Sequence, residues 1–135
     1  MNAPTSHELD AFVERYIALW NEPDPARRRQ LIEELWDPEG ANYTKANEYQ
    51  GHDALEKRVT VSWEKWVRDA GCLFRRRHAD QHHGAVRVVW EMVNAGDGKV
   101  RSVGTEFLLL DRGGQIREDY QFVEPAADLA ASGDS

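Results

Sequence analysis

Residues 72–94 read CLFRRRHADQHHGAVRVVWEMVN. From Cys72 to His82, and again from Ala85 to Asn94, the residues follow a period of two, and His83-Gly84 stands between the runs. Two long runs of that period joined by a short turn predict an antiparallel hairpin. The pattern recurs downstream from Val100 to Leu110 and from Gln115 to Val123, with Gly96-Asp97-Gly98 and Arg112-Gly113-Gly114 as connectors. Apolar residues stand on both faces of these strands. Val86, Val88 and Trp90 oppose Val89 and Val93, and Phe107 and Leu109 oppose Leu108 and Leu110. One face can pack on helices; the other predicts an apolar outer patch and a homodimer through it.

Upstream of Gly71 the period is helical. Thr5-Ser6-His7-Glu8 reads as a capping box, followed by a stripe of Leu9, Phe12, Val13, Tyr16, Ile17 and Trp20. Asn21-Glu22-Pro23 ends that helix, and Asp24-Pro25 caps and starts a second, with Leu31, Ile32, Leu35 and Trp36 as its buried side. Asp37-Pro38-Glu39-Gly40 stops it; Ala41 to Thr44 and Asn47 to Tyr49 read as short strands around a turn. Gly51-His52-Asp53 opens a third helix with Asp53 and Glu56 as a capping box and Leu55, Val59, Trp63, Trp66 and Val67 as its stripe; Gly71 supplies the left-handed exit. Helices followed by antiparallel strands predict an α+β fold. A curved, mostly antiparallel sheet wrapped around three helices encloses a pocket. After Pro125 the chain is Ala, Asp, Ser and Gly with one Leu, which predicts a disordered tail over 125–135 beside one domain over 5–124.

The chain has 135 residues, enough for one core, and a net charge of -7. That balance offers no footprint for nucleic acid or an anionic membrane, and the Arg27–Arg29 and Arg75–Arg77 runs read as solvated faces. No apolar run approaches a membrane span, and Met1 to Ser6 does not read as a signal peptide. Cys72 is the lone cysteine, so an internal disulfide is excluded and a cytoplasmic location is expected. No phosphate loop, nucleophile elbow or zinc motif occurs, so neither a cofactor nor a metal is expected.

Tyr16-Ile17-Ala18-Leu19-Trp20-Asn21-Glu22-Pro23-Asp24, Leu35-Trp36-Asp37-Pro38-Glu39-Gly40, Gly51-His52-Asp53-Ala54-Leu55, His82-His83 with Val88-Val89-Trp90-Glu91, Gly104-Thr105-Glu106-Phe107 and Gly114-Gln115-Ile116 occur in this order. In that order and spacing, over residues 8–124, the chain resembles the SnoaL-like branch of the NTF2-like superfamily. The resemblance implies a cone-shaped domain around one small-molecule pocket. It also implies cofactor-free chemistry of the kind found in ketosteroid isomerases, polyketide cyclases, dehydratases and limonene-type epoxide hydrolases. Polyketide cyclases carry a His-Trp-Asp string on the last strand. The matching positions here are Asp119-Tyr120-Gln121, and Gln121 cannot take a proton.

Two acids are the catalytic candidates. Glu106 shares a face with Leu108 and Leu110, where burial raises a carboxyl pKa into the range of proton transfer. The alternative is an ion pair with Arg76 or Arg117. Asp119 shares a face with Arg117 and Gln121; alternation alone leaves open whether that face or the one with Tyr120 and Phe122 turns inward. Two carboxyls on one face would push one pKa upward. His78, Asp80 and His82 share a strand face, a spacing that suits a metal less well than a surface role. Substrate-binding candidates are Tyr16, Trp36, Tyr43, Trp63, His78, Trp90 and Gln121; the aromatic walls among them suit a flat apolar molecule, and Tyr16, Tyr43 and His78 are the hydrogen-bonding candidates. The expected function is acid/base catalysis on a hydrophobic small molecule. The alternatives are a non-catalytic ligand-binding domain and a dimeric association module.

Overall fold

A computed structural model describes residues 5–125. Helix α1 (Ser6–Asn21) starts at the expected capping box: the Thr5 hydroxyl accepts from the Glu8 amide at 3.1 Å, and the Glu8 carboxylate accepts from the Thr5 amide at 3.4 Å. Helix α2 (Pro25–Leu35) is capped by Asp24, which accepts from the Ala26 amide. Helix α3 (His52–Ser62) differs at its start. Its cap is Gly51, at φ 86°, with no side-chain cap bond. Asp53 and Glu56, read as a capping box, instead both accept from Arg29 of α2, at 2.8 and 2.9 Å. A charged acceptor-donor bond holds these carboxylates more strongly than an amide would.

After Ser62 the chain continues as a π-helix over Trp63–Asp69. The wider turn breaks the stripe expected through Trp63, Trp66 and Val67: Ser62 takes the buried place and the two tryptophans are half-buried. Gly71 ends the segment at φ 68°, as expected.

Strands follow: β1 (Trp36–Tyr43), β2 (Glu48–Gln50), β3 (Cys72–His82), β4 (Ala85–Asn94), β5 (Val100–Leu110) and β6 (Ile116–Val123). They form one sheet in the order β2-β1-β6-β5-β4-β3. All neighbours are antiparallel except β1 and β6, which run parallel. The β3–β4 turn has positive φ at both His83 and Gly84, the geometry that matches strand twist. Trp36 is a correction: it is not on the buried side of α2 but begins β1, fully buried, because the helix ends at Leu35. The helices cover the sheet face carrying Val86, Val88, Trp90 and Leu108. The outer face leaves Phe107, Leu109 and Phe122 exposed. The tail expected beyond Pro125 lies outside the described residues. Among those described, no helix is long and apolar enough to cross a membrane.

The parallel β1–β6 junction depends on Gly40. A Cβ there would lie 2.6 Å from the Ile116 carbonyl oxygen and 2.9 Å from that of Asp37, and backbone cannot yield cheaply. Gly40→Ala should therefore destabilise by about 2 kcal/mol or more, against about 1 kcal/mol for loss of the Thr5 cap in Thr5→Ala. Urea unfolding of the two variants checks the ranking.

Candidate active site

Alternation along β5 turns Glu106 and Leu108 inward and Phe107 and Leu109 outward. Register then places Gln121 opposite Glu106 and Asp119 opposite Leu108 on β6. Both acids therefore share the helix-facing side, which settles the orientation left open by the sequence. Glu106 is 2% exposed and Asp119 0%. Among the described residues neither meets an arginine in an ion pair: Arg76 is taken by Asp10 at 2.7 Å.

Each carboxyl has one oxygen satisfied by an aromatic donor. The Trp90 indole Nε1 donates to Glu106 Oε2 at 2.8 Å, and the Tyr16 hydroxyl donates to Asp119 Oδ2 at 2.6 Å. Glu106 Oε1 and Asp119 Oδ1 are buried without a separate donor. One proton shared between the two carboxyls would satisfy both. Burial, and then the charge of Asp119, raise the Glu106 pKa well above the ordinary carboxylate range. Burial also raises Asp119. There the nearness of Glu106, the Tyr16 hydroxyl bond and the charge of Arg58 pull the other way. Both carboxyls are therefore raised, and the pair titrates as a unit. Tyr16 is pushed well above its usual value by burial and by the charges of Asp119 and Glu106, so it stays a donor.

The Glu106–Trp90 bond has a backbone condition. Trp90 faces Gly104 across the β4–β5 ladder, and the indole lies against that glycine. A Cβ at position 104 would sit 2.2 Å from Trp90 Cζ2. The glycine in Gly104-Thr105-Glu106-Phe107 therefore clears the space in which the indole reaches the carboxyl two residues on.

Above Glu106 opens a cavity of about 330 Å³. Its walls include Tyr16, Trp20, Trp66, Phe74, Trp90 and Met92, with Arg58, Ser62, Arg101, Ser102 and Gln121 as polar members. Of the expected site residues, Glu106, Tyr16, Trp90 and Gln121 line this space. Asp119 lies behind it, reached through Tyr16 and Glu106. Trp36 supports Tyr16 from beneath, ring centroids 5.8 Å apart. Trp63 lies under the Arg28 guanidinium at 5.0 Å rather than on the cavity wall. Tyr43 stacks on Tyr120, 4.9 Å apart, and its register partner belongs to the outer face. His78 pairs with Val89, also outward, because a bulge at Arg77 resets the alternation; its side chain is 57% exposed beside Asp80. Among the described residues no cluster of His, Cys, Asp and Glu is suited to hold a metal.

The sequence reading missed Arg58 and Asn42. Arg58 donates to Asn42 Oδ1 at 3.3 Å and to Gln121 Oε1 at 3.0 Å, and its guanidinium lies 5.4 Å from both the Trp20 and Tyr49 rings. The available signal was its place between Leu55 and Ser62, three and four residues from buried positions on one helix.

No protein-family model and no curated sequence matches the chain. Solved structures do. An isomerase candidate of the SnoaL-like family from Agrobacterium tumefaciens superimposes with a TM-score of 0.76 at 23% identity, over 85% of this chain and 96% of that one. A SnoaL-like polyketide-cyclase candidate from Jannaschia sp. gives 0.67 at 18%, over 96% of each chain. A de novo designed protein with a curved β-sheet also gives 0.67, at 15% identity over 97% of each chain, so the architecture carries no chemistry of its own. The chain has the α+β NTF2-like fold shared by the SnoaL-like structures.

Proposed function

We propose that this protein is a cofactor-independent acid/base enzyme acting on a small apolar molecule, with Glu106 as the proton-transferring group. The observation that carries the reading is the buried Glu106–Asp119 pair, one member of which borders a largely aromatic cavity. Glu106 holds a proton at the cavity floor. Passing it to a substrate oxygen or carbon leaves a second negative charge beside Asp119. That repulsion favours recovery of a proton from another substrate atom, so the enzyme is restored and nothing else is consumed. Isomerisation, cyclisation and dehydration fit this balance; epoxide hydrolysis fits it with water as co-substrate, the attacking water supplying the returning proton. The similar Agrobacterium and Jannaschia proteins, an isomerase candidate and a polyketide-cyclase candidate, lie in the same range. Asp119 is a positioning residue: it holds Tyr16 and Glu106 without bordering the cavity.

Glu106→Gln keeps an acceptor for Trp90 and a donor for Asp119 but cannot titrate. It should leave ligand affinity nearly intact and lower turnover by about 10²-fold or more. Thermal-shift screening of apolar ketones, epoxides and phenols, with product analysis on each hit, provides the assay; hits that are never transformed reject catalysis in favour of a binding domain. The pair also fixes a pH dependence. Both folded-state pKa values lie above the unfolded ones, so the folded state binds more protons. Stability should be full below the ordinary carboxylate range and fall as pH rises through the raised values. Glu106→Gln removes one titration, so its melting temperature should gain on the wild type as pH increases.

The outer sheet face supports a second expectation, a homodimer. Phe107, Leu109 and Phe122 are 42%, 38% and 61% exposed, and the two phenylalanine rings touch edge to face at 5.7 Å, forming one continuous apolar surface. Light scattering should give the mass of two chains, and Phe122→Asp should shift it toward one. A wild-type mass of one chain at micromolar concentration contradicts the dimer.

A further inference from the structure

The two arginines of the cavity differ from most of the chain's well-placed cations. Arg29, Arg75, Arg76 and Arg87 are each engaged by carboxylates. Arg58 and Arg101 border the cavity, and neither makes an ion pair among the described residues. Their partners are neutral. Arg58 bonds to the Asn42 and Gln121 amide oxygens, and Arg101 Nη1 bonds to Asn94 Oδ1 at 3.1 Å and approaches Cys72 Sγ at 3.6 Å. In a chain of net charge -7, carboxylates are not scarce.

Arg58 is also held in place. Two aromatic rings and two hydrogen bonds fix a half-buried guanidinium, whose Nη1 has no acceptor among the described residues. Its partner Gln121 stands opposite Glu106 in the β5–β6 ladder, so the cation lies at the reacting end of the cavity. Arg101 is placed by a different device. The β4–β5 register jumps from Met92–Ser102 to Val93–Val100, which makes Arg101 the extra residue of a bulge. Bulges re-aim side chains, and here an exposed strand residue borders the cavity where it meets solvent. With one proton on the carboxyl pair, the charge of Asp119 is offset by Arg58. The further charge on Arg101 leaves the site positive.

We infer that the ligand is a monoanion: a flat apolar molecule with one carboxylate, which Arg58 binds inside the cavity and Arg101 attracts at its mouth. This rests on the small-molecule reading above and narrows its substrate class. A half-buried guanidinium bound to neutral amides gains more from a carboxylate than from water or an amide oxygen. The apolar body would lie against the tryptophan walls.

The test compares naphthoate with naphthamide, two probes with the same ring system and differing in charge, by calorimetric titration of the full chain. Naphthoate should bind about 10-fold or more tightly. The advantage should collapse in Arg58→Gln, persist in part in Arg58→Lys, and shrink with added salt. Because the readout is a ratio of affinities in one protein, a general loss of stability does not imitate it. If Arg58→Gln fails to fold, the wild-type ratio and its salt dependence decide. Equal binding of the two probes, or an advantage that survives Arg58→Gln, overturns the inference and leaves the acid/base reading standing. Binding of neither overturns the inference, and failure of the wider apolar set as well overturns the pocket reading with it.

Discussion

The structure turns on two carboxyl groups held together away from water. Separately, a buried Glu and a buried Asp would each be expelled or neutralised, since desolvating a lone carboxylate costs several kcal/mol or more. Together, with one proton between them, they need one counter-charge and a few donors. The fold supplies these from four elements: the donors Tyr16 from α1 and Trp90 from β4, and the cation Arg58 from α3, which bonds to Asn42 of β1. Each of these makes a demand of its own. Tyr16 stands where the first helical stripe meets Trp36. Trp90 needs Gly104 beneath it. Asn42 depends on the parallel alignment of β1 with β6, where it sits beside Asp119, and that alignment passes through Gly40. The polar network is thus one reason these helices and strands meet in this arrangement rather than another.

Most of the fold was legible because its signals are local. Thr5 with Glu8, Asp24 with Pro25, and the change of period after Gly71 each report on neighbouring residues. The bounds of β3, β4 and β5 follow directly from alternation between glycine-containing turns. What escaped depended on distant partners. Asp53 and Glu56 have the spacing of a capping box, yet Arg29 from another helix takes both. The π-helix at Trp63–Asp69 has no local signature that separates it from an α-helical stripe. Trp36 looked helical because the sequence before it is helical, while its strand pairing is with Ile116, far along the chain.

The site divides in the same way. Glu106 among apolar neighbours was readable, since a single inward acid on an alternating strand is an anomaly that calls for burial or function. Asp119 needed the β5–β6 register to choose its face. Arg58 was hidden by its type, because an arginine on a helix is ordinarily read as solvated. Tyr43 and His78 failed to reach the cavity for a strand-level reason: side chains alternate, and register and a bulge send both outward. Aromatic content named the walls but could not assign each ring to a side.

The shared proton is the central claim, and it can be observed without knowing the substrate. A carbon-13 NMR titration of the side-chain carboxyls, assigned through Glu106→Gln, reads the protonation of Glu106 directly. The account requires the Glu106 carbon to keep its protonated shift through the range where exposed glutamates ionise, and to change only at higher pH, with Asp119 responding in the same step. A Glu106 that ionises together with the exposed glutamates, independently of Asp119, would contradict it.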